Sequence, residues 1–151
     1  MNIELKKKNI LKIDEFQFKC SIGAKGIKKN KIEGDLCTPK GRYKLKNLFY
    51  RDDRKKKFNC ALNTIKIKKN MGWCDDSKSR YYNSLIEINK NLKYEKLFRK
   101  DHLYDYLIEI NHNHKKKPFA GSAIFIDLTK NYKPTKGCIA LKEKDFLILL
   151  K

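Results

Sequence analysis

Apolar and polar side chains alternate with a period of two in several short stretches of this chain, which is the pattern of half-buried strands. Residues 10–13 and 16–22 show it first, and their closeness predicts an early antiparallel pair. Residues 64–68 alternate in the same way, and residues 104–111 combine aromatic and aliphatic positions. The segment 121–128 is typical of a buried strand. All five segments are therefore predicted to be strands.

The C-terminal segment follows a different pattern. Glu143 and Asp145 lie near its start, where acidic side chains favour the positive end of a helix. An apolar face follows, formed by Phe146, Leu147, Leu149 and Leu150. We expect a short terminal helix packed on the sheet. By contrast, glycine and proline punctuate residues 23–41, which predicts loops, and residues 71–76 are predicted to form a turn.

Length and charge narrow the classes of protein. A chain of 151 residues is long enough for one domain with a real core and too short to expect two. The formal net charge is +20, from 37 Lys plus Arg against 17 Asp plus Glu, and five of the 37 are Arg. Nucleic-acid sites favour arginine forks, so a lysine-dominated chain favours a solvated surface or attraction to anionic envelope polymers, with nucleic-acid binding as the less favoured alternative. We expect no stable nucleic-acid partner and a monomer.

The cysteines and the N-terminus limit the chemistry further. Five cysteines are scattered without metal-ligand spacing, so no metal site is predicted, and an odd number leaves at least one thiol unpaired. Residues 1–11 contain no apolar core of a signal peptide, and no later segment has the roughly 20 apolar residues of a membrane-spanning helix.

One cysteine is placed like a nucleophile. Cys138 follows Gly137 at the start of a second apolar segment, and a glycine lets the backbone turn so that nearby amides can face a substrate carbonyl. The attacking species is the thiolate, which needs a basic or cationic neighbour. The alternative is that Cys138 is a small buried hydrophobe beside a turn.

Residues 121–141 resemble the L,D-transpeptidase family, the YkuD-like catalytic domain. The matching positions are Gly121, Ser122, Ile124, Phe125 and Ile126, followed by Pro134, Thr135, Gly137, Cys138, Ile139, Ala140 and Leu141. The segment 33–43, which contains Gly-Asp-Leu-Cys-Thr-Pro-Lys-Gly, is similar to an upstream turn of the family. Trp73 to Asp76 and Tyr81 to Asn83 resemble its middle segment. The motifs follow the family order over most of the chain.

The resemblance implies a single domain over residues 1–151, mainly β, with a sandwich or bent mixed sheet and one or two short helices. It implies acyl transfer on peptidoglycan stem peptides through a cysteine thioester, by cross-linking or L,D-carboxypeptidation, in the periplasm or cell envelope. The implied reaction requires no cofactor. Cys138 is then the nucleophile, and the amides of Gly137 and Cys138 hold the oxyanion. Ser122, Thr135 and Asn113 support the substrate site, and Trp73 lines the peptide cleft unless it is a core anchor.

Asp127 occupies the position where the family has its catalytic histidine. An exposed aspartate is ionised near pH 7, and an anion beside Cys138 raises the thiol pKa. Three explanations remain open: a rescue base elsewhere, a weakened or silent domain, or an altered residue at this single site. The silent case corresponds to a non-catalytic module that binds cell-wall peptides.

His112 is the candidate rescue base. It precedes Asn113 at a position where the family commonly has Tyr-Asn, at the end of a predicted strand. If it reached the site, Asp127 would orient the imidazole and the imidazole would activate Cys138. His102 and His114 are interpreted as structural or exposed.

Overall fold

The computed structural model describes residues 3–6 and 9–151. Met1, Asn2, Lys7 and Lys8, which belong to the segment inspected for a signal peptide, lie outside the described residues. In chain order the elements are β1 (Ile3–Lys6), β2 (Ile10–Ile13), β3 (Phe16–Lys19), β4 (Ile27–Lys28), β5 (Thr38–Pro39), β6 (Leu45–Tyr50), β7 (Asn63–Lys66), β8 (Met71–Cys74), β9 (Leu85–Glu87), β10 (Tyr94–Lys96), β11 (Tyr106–Ile110), β12 (Phe125–Leu128), β13 (Ile139–Leu141) and α1 (Glu143–Leu149).

A five-stranded mixed sheet lies at the centre, in the order β13-β12-β11-β6-β7. The outer pairs β12 with β13 and β6 with β7 are parallel, and β11 pairs antiparallel with both of its neighbours. Smaller sheets have the orders β1-β2-β3, β10-β8-β9 and β4-β5. The predicted mainly β fold is confirmed, with several sheets and one short helix among the described residues, as in a β-sandwich.

Both faces of the central sheet are covered by apolar side chains. Successive residues of a strand point to opposite faces. Accordingly, Ile108 of β11 packs in one cluster with Phe146 of α1, whereas Leu107 packs in another with Phe125 and Trp73. Because neither face is left to solvent, β11 is buried at every position.

The predictions for the two ends of the chain are confirmed. β2 and β3 form the early antiparallel pair, with Ile13 opposite Phe16. The second strand is shorter than predicted, because the chain leaves β2 after Lys19 and Ser21 pairs with Ala140 instead. The terminal helix α1 packs Phe146 into the core beneath the sheet.

The predicted turn at residues 71–76 is wrong in its first part. Residues 71–74 form β8, the middle strand between β9 and β10. Gly72 is a site of close approach rather than a turn, since a Cβ there would lie 2.9 Å from Cδ2 of Tyr94. Trp73 and Cys74 are buried on this strand. Their burial explains why apolar residues occur here between polar stretches of the sequence.

The strand predicted over residues 121–128 is also shorter. Its ladder begins only at Phe125, because the preceding backbone takes left-handed conformations, with φ of +93° at Gly121 and +52° at Ala123. The four ladder residues still carry Asp127 to the middle of a buried strand.

Candidate active site

Two neighbouring parallel strands bring Cys138 and Asp127 together. Asp127 of β12 is paired with Ala140 of β13, and Cys138 lies just before β13. Both side chains line a cavity of about 730 Å³. Cys138 is 8% exposed, and its thiol donates a hydrogen bond to the carbonyl of Ala123 at 3.3 Å. The sequence predictions for Cys138 and Asp127 thus converge on one wall of one cavity.

Asp127 is buried, and its hydrogen-bonding capacity is only partly used. It is 6% exposed, and its Oδ1 atom has no hydrogen-bond partner among the described residues. Burial, followed by the nearby charge of Glu95, raises its pKa well above the ordinary value, against a smaller lowering effect of Arg99. Burial therefore favours the neutral carboxyl, whereas an exposed aspartate at this position would be ionised.

The thiol of Cys138 is shifted in the same direction. Burial, and after it the charges of Asp127 and Glu95, raise its pKa well above the ordinary value, while the backbone N–H of Phe125 lowers it. The sequence predicted that an anion beside the sulfur would disfavour the thiolate, and in the structure burial contributes more than that anion. The resting site therefore holds a protonated thiol beside a carboxyl group.

A tight turn precedes Cys138. A Cβ on Gly137 would lie 2.9 Å from the carbonyl oxygen of Cys37, so a glycine is required there. The Thr38 hydroxyl donates to the Gly137 carbonyl at 2.9 Å, and the Thr135 hydroxyl donates to the Cys138 carbonyl at 2.6 Å. The Gly137 N–H, predicted as an oxyanion donor, instead donates to Thr135 Oγ1 at 3.1 Å. Thr135 thus supports the turn.

Ser122 lines the same cavity and forms a hydrogen bond to Glu33, a residue to which the sequence motifs assigned no role. The Ser122 hydroxyl donates to Glu33 Oε2 at 2.7 Å, the Tyr82 hydroxyl donates to the same oxygen, and the Gly121 N–H donates to Tyr82 at 3.0 Å. Glu33 directly precedes Gly34-Asp35 of the family-like turn, which was the available signal for it.

Lys31 and Asp35 form an ion pair beside the cavity. The Lys31 side chain is 3% exposed, and its Nζ lies 2.6 Å from Asp35 Oδ1. Burial would raise the pKa of Asp35, but hydrogen bonds from Lys31 and from the N–H groups of Ile32 and Cys37 hold it below the ordinary value. The Lys31 methylenes contact Gly121, where a Cβ would lie 2.9 Å from Cγ. This ion pair therefore positions Lys31 against Gly121, where the segment that carries Asp127 begins.

Three further residues complete the cavity wall beside Asp127: Glu95, Arg99 and Tyr104. The Tyr104 hydroxyl donates to Glu95 Oε1, and the Arg99 guanidinium lies 4.8 Å from the centre of the Tyr104 ring. Burial raises the pKa values of both Glu95 and Tyr104. No motif marks these residues, because they meet through an irregular stretch of chain between β10 and β11.

His112 is not brought to Cys138 in this arrangement. It lines a separate cavity of about 220 Å³, to which neither Cys138 nor Asp127 contributes. Its Nε2 lies 2.8 Å from the Ala120 carbonyl, so Nε2 carries the proton and donates there. Burial lowers its pKa. In the described structure His112 therefore binds the segment that precedes β12, through Ala120, and does not contact the thiol.

Asn113 binds the segment that leads into β12, and Trp73 belongs to the apolar core cluster that also contains Cys138. Asn113 donates to the carbonyls of Lys117 and Gly121, at 2.9 and 3.1 Å. Trp73 is a core anchor: it is 5% exposed, packs edge-on against Phe125 and lines the smaller cavity. Its indole N–H donates to Asn83 Oδ1 at 2.9 Å, and that oxygen also accepts the Ala123 N–H. Asn83 thus ties β8 to the loop beside Cys138.

The five cysteines, all within the described ranges, are free thiols. Among residues 3–6 and 9–151, no cluster of three or more His, Cys, Asp or Glu side chains could hold a metal ion. The same ranges contain no helix that is long and apolar enough to cross a membrane.

Comparison with known proteins identifies the family. Searches of the curated proteins and of the solved structures each found no match. The family model of the YkuD L,D-transpeptidase catalytic domain matches residues 5–151, nearly the whole chain. Members of this transpeptidase family act on the cell wall. The chain therefore belongs to the YkuD family of L,D-transpeptidase catalytic domains.

Proposed function

We propose that this chain transfers acyl groups of peptidoglycan stem peptides through a thioester on Cys138. The observation that carries this proposal is the meeting of Cys138 and Asp127 on the wall of a cavity large enough for a peptide segment, about 730 Å³. Residues 1–151 act as a single catalytic domain in the cell envelope, as a monomer and without a cofactor.

In the proposed reaction, the ionised form of Asp127, which burial disfavours, takes the proton of the Cys138 thiol, and the sulfur attacks the carbonyl that precedes a terminal D-alanine. The C–N bond then breaks, Asp127 returns the proton to the amine of the leaving D-alanine, and a thioester remains. An amine of a second stem peptide or water displaces the thiolate, which is protonated again. All atoms and protons balance without a further reagent.

Burial has two opposing effects on this chemistry. A buried carboxylate with a raised pKa is a stronger base than an exposed one, which favours proton transfer from the thiol. The same burial raises the pKa of Cys138, which disfavours the thiolate. We therefore propose a weakened enzyme, slower than one with an imidazole at position 127.

The oxyanion of the tetrahedral intermediate needs donors close to the sulfur. We propose the Cys138 amide as the first donor. The Gly137 amide joins it after its hydrogen bond to Thr135 opens, a bond of 3.1 Å in the resting site. Ser122, held by Glu33, binds the substrate backbone at the opposite end of the same segment.

Exposed lysines surround the mouth of the cavity. Four of them line it: Lys93, Lys130, Lys133 and Lys136. Their ammonium groups attract carboxylates of the stem peptide, and this attraction weakens with salt.

A non-catalytic module that binds cell-wall peptides is the second candidate function. The protonated resting state of Cys138 favours it, because a buried neutral thiol is a poor nucleophile. This candidate uses the same cavity and the same lysine rim, but forms no thioester.

Intact-protein mass spectrometry after incubation with a carbapenem tests the proposal on the native chain, Cys138→Ala and Asp127→His. We expect a slow adduct on the native chain and none on Cys138→Ala. The adduct on Asp127→His should form about a hundredfold faster, because a positioned imidazole is a better base.

An adduct on Cys138→Ala would remove Cys138 from the mechanism. If the native chain forms no adduct while Asp127→His does, the scaffold is intact and the domain is the silent binding module.

A further inference from the structure

The catalytic cavity has an acidic interior and a basic rim. Asp75, Glu95 and Asp127 line its inner wall, and all three are partly or fully buried. The lysines around its mouth are exposed. In a chain with a net charge of +20, this grouping of carboxyl groups is a local reversal of sign.

Two of the three carboxyl groups have a buried oxygen without a partner in the described part of the chain. Asp127 is 6% exposed, and its Oδ1 atom has no hydrogen-bond partner among the described residues; the buried Oδ1 of Asp75 likewise has none. Glu95 is the partnered member: its Oε1 accepts the Tyr104 hydroxyl and lies 3.7 Å from Arg99 Nη1. Asp75 forms one long ion pair through its other oxygen, with Lys93 Nζ 3.9 Å from Oδ2. Buried polar groups without partners are rare in folded proteins, so the wall is built for a group that it does not yet contact.

The charges on this wall also act on one another. Burial, and then the charge of Glu33, raise the pKa of Asp75 despite the opposing effect of Lys93. Burial likewise raises the pKa of Glu95, to which Asp75 adds, while Tyr104 and the cations Arg99 and Lys136 lower it. A cation entering the cavity would relieve this repulsion and fill the vacant acceptor positions.

We infer that the wall formed by Asp75, Glu95 and Asp127 is the subsite for the amine nucleophile, and that it binds the primary ammonium of the acceptor peptide. This inference rests on the proposed function, because the amine then attacks the thioester of Cys138. It makes Asp75 and Glu95 specificity-determining residues that favour transfer to an amine over hydrolysis.

The chemical step follows from this placement. A carboxylate of the wall takes one proton from the bound R–NH₃⁺ and leaves R–NH₂. The amine lone pair forms a C–N bond to the thioester carbonyl, and the C–S bond breaks. The thiolate accepts the proton from the carboxyl group, and the second proton that the nitrogen loses on forming the amide passes to water. Water carries no charge for the wall to recognise and gains less from it.

The test measures the partition of one acyl-enzyme. The full chain is supplied with a stem tetrapeptide donor and Nα-acetyl-L-lysine amide as the amine, and the ratio of transfer product to hydrolysis product is determined by mass spectrometry. Because both products come from the same thioester, a change in acylation rate cancels. Asp75→Asn and Glu95→Gln each keep the shape and should lower the ratio about tenfold, the loss of one charge-assisted contact.

Asp76→Asn is the matched control. Asp76 is the next residue in the chain, its carboxylate accepts the Lys78 N–H, and it does not line the cavity. Its ratio should equal that of the native chain. Equal ratios in Asp75→Asn, Glu95→Gln and the native chain would overturn the subsite.

A binding experiment decides the inference even if no acyl-enzyme forms, which is the failure of the proposed function. Cys138→Ala is titrated with Nα-acetyl-L-lysine amide and with its Nε-acetylated form, and chemical shifts are followed by NMR. We expect shifts with the free amine only, and about tenfold weaker binding when Glu95→Gln is added. Equal responses to the two compounds, or none to the free amine, would overturn the subsite.

Discussion

Asp35 and Asp127 are two shielded carboxyl groups, and they differ in their hydrogen-bond partners. Asp35 accepts hydrogen bonds from Lys31 and from two backbone N–H groups, and its pKa falls although burial alone would raise it. Asp127 has an oxygen without a partner, and its pKa rises, chiefly through burial. The satisfied carboxylate belongs to the scaffold, whereas the unsatisfied one is available for chemistry or for a ligand.

The largest effect on stability is expected at the satisfied carboxylate. Asp35→Ala leaves the Lys31 ammonium buried without its partner, and we expect a loss of about 3 kcal/mol in the free energy of unfolding. Urea denaturation measures this loss. Asp52→Ala is the control, because it removes the partner of an exposed lysine, Lys66, in an exposed ion pair. A similar small change in both variants would remove the distinction between the two carboxyl groups.

A smaller effect on stability is expected at Asp127. Asp127→Asn removes a buried carboxyl that lacks a partner, so the free energy of unfolding should stay within about 1 kcal/mol of the native value at pH 7. The folded-state pKa of Asp127 is raised, so its contribution to stability is complete below the unfolded value of about 3.9 and is lost as the pH rises through the folded pKa.

The two carboxyl groups should therefore give opposite pH slopes in urea denaturation. Asp35, with its lowered pKa, contributes stability above the unfolded value, and that contribution is lost as the pH falls towards its folded pKa. Asp35→Asn should flatten the acid limb of the stability profile, and Asp127→Asn should flatten the decline above about pH 4. Profiles that coincide for both variants would contradict the comparison.

The smallest effect is expected at His112. His112→Gln keeps a donor for the Ala120 carbonyl, and His112 lines the other cavity, so the carbapenem acylation rate should change by less than about twofold. A fall of more than about tenfold would restore the arrangement of Cys138, His112 and Asp127 that the sequence suggested.

Local patterns predicted the parts of the fold that depend on near neighbours. The alternation at residues 10–13 and 16–22 and the acidic start of α1 lie within single elements or adjacent strands, so the sequence predicted the strand pair and the helix. β8 was missed because Gly72 serves a contact with Tyr94, and a glycine selected for close approach has the same letter as one in a turn.

The candidate site was likewise predicted only in part from the sequence. Cys138 and Asp127 were found because a family motif carries both. Glu95 and Tyr104 were missed, because their contact depends on how residues 97–105 cross from β10 to β11, and no spacing in the chain encodes that path. The position of His112 was likewise undecided by sequence, since a residue at the end of β11 can face either cavity.

The connection between β12 and β13 has a consequence for how this site can vary. Parallel neighbours require the chain to travel back along the full strand, which usually takes about a dozen residues or more. Here residues 129–138 make the return and carry three of the rim lysines on the way. The connection is close to its minimum length, so a deletion would pull Cys138 out of register with Asp127. An insertion would lengthen only the loop at the cavity entrance and would leave the pairing of β12 with β13 unchanged. Insertions, and not deletions, are therefore the changes of length by which this loop can alter substrate choice.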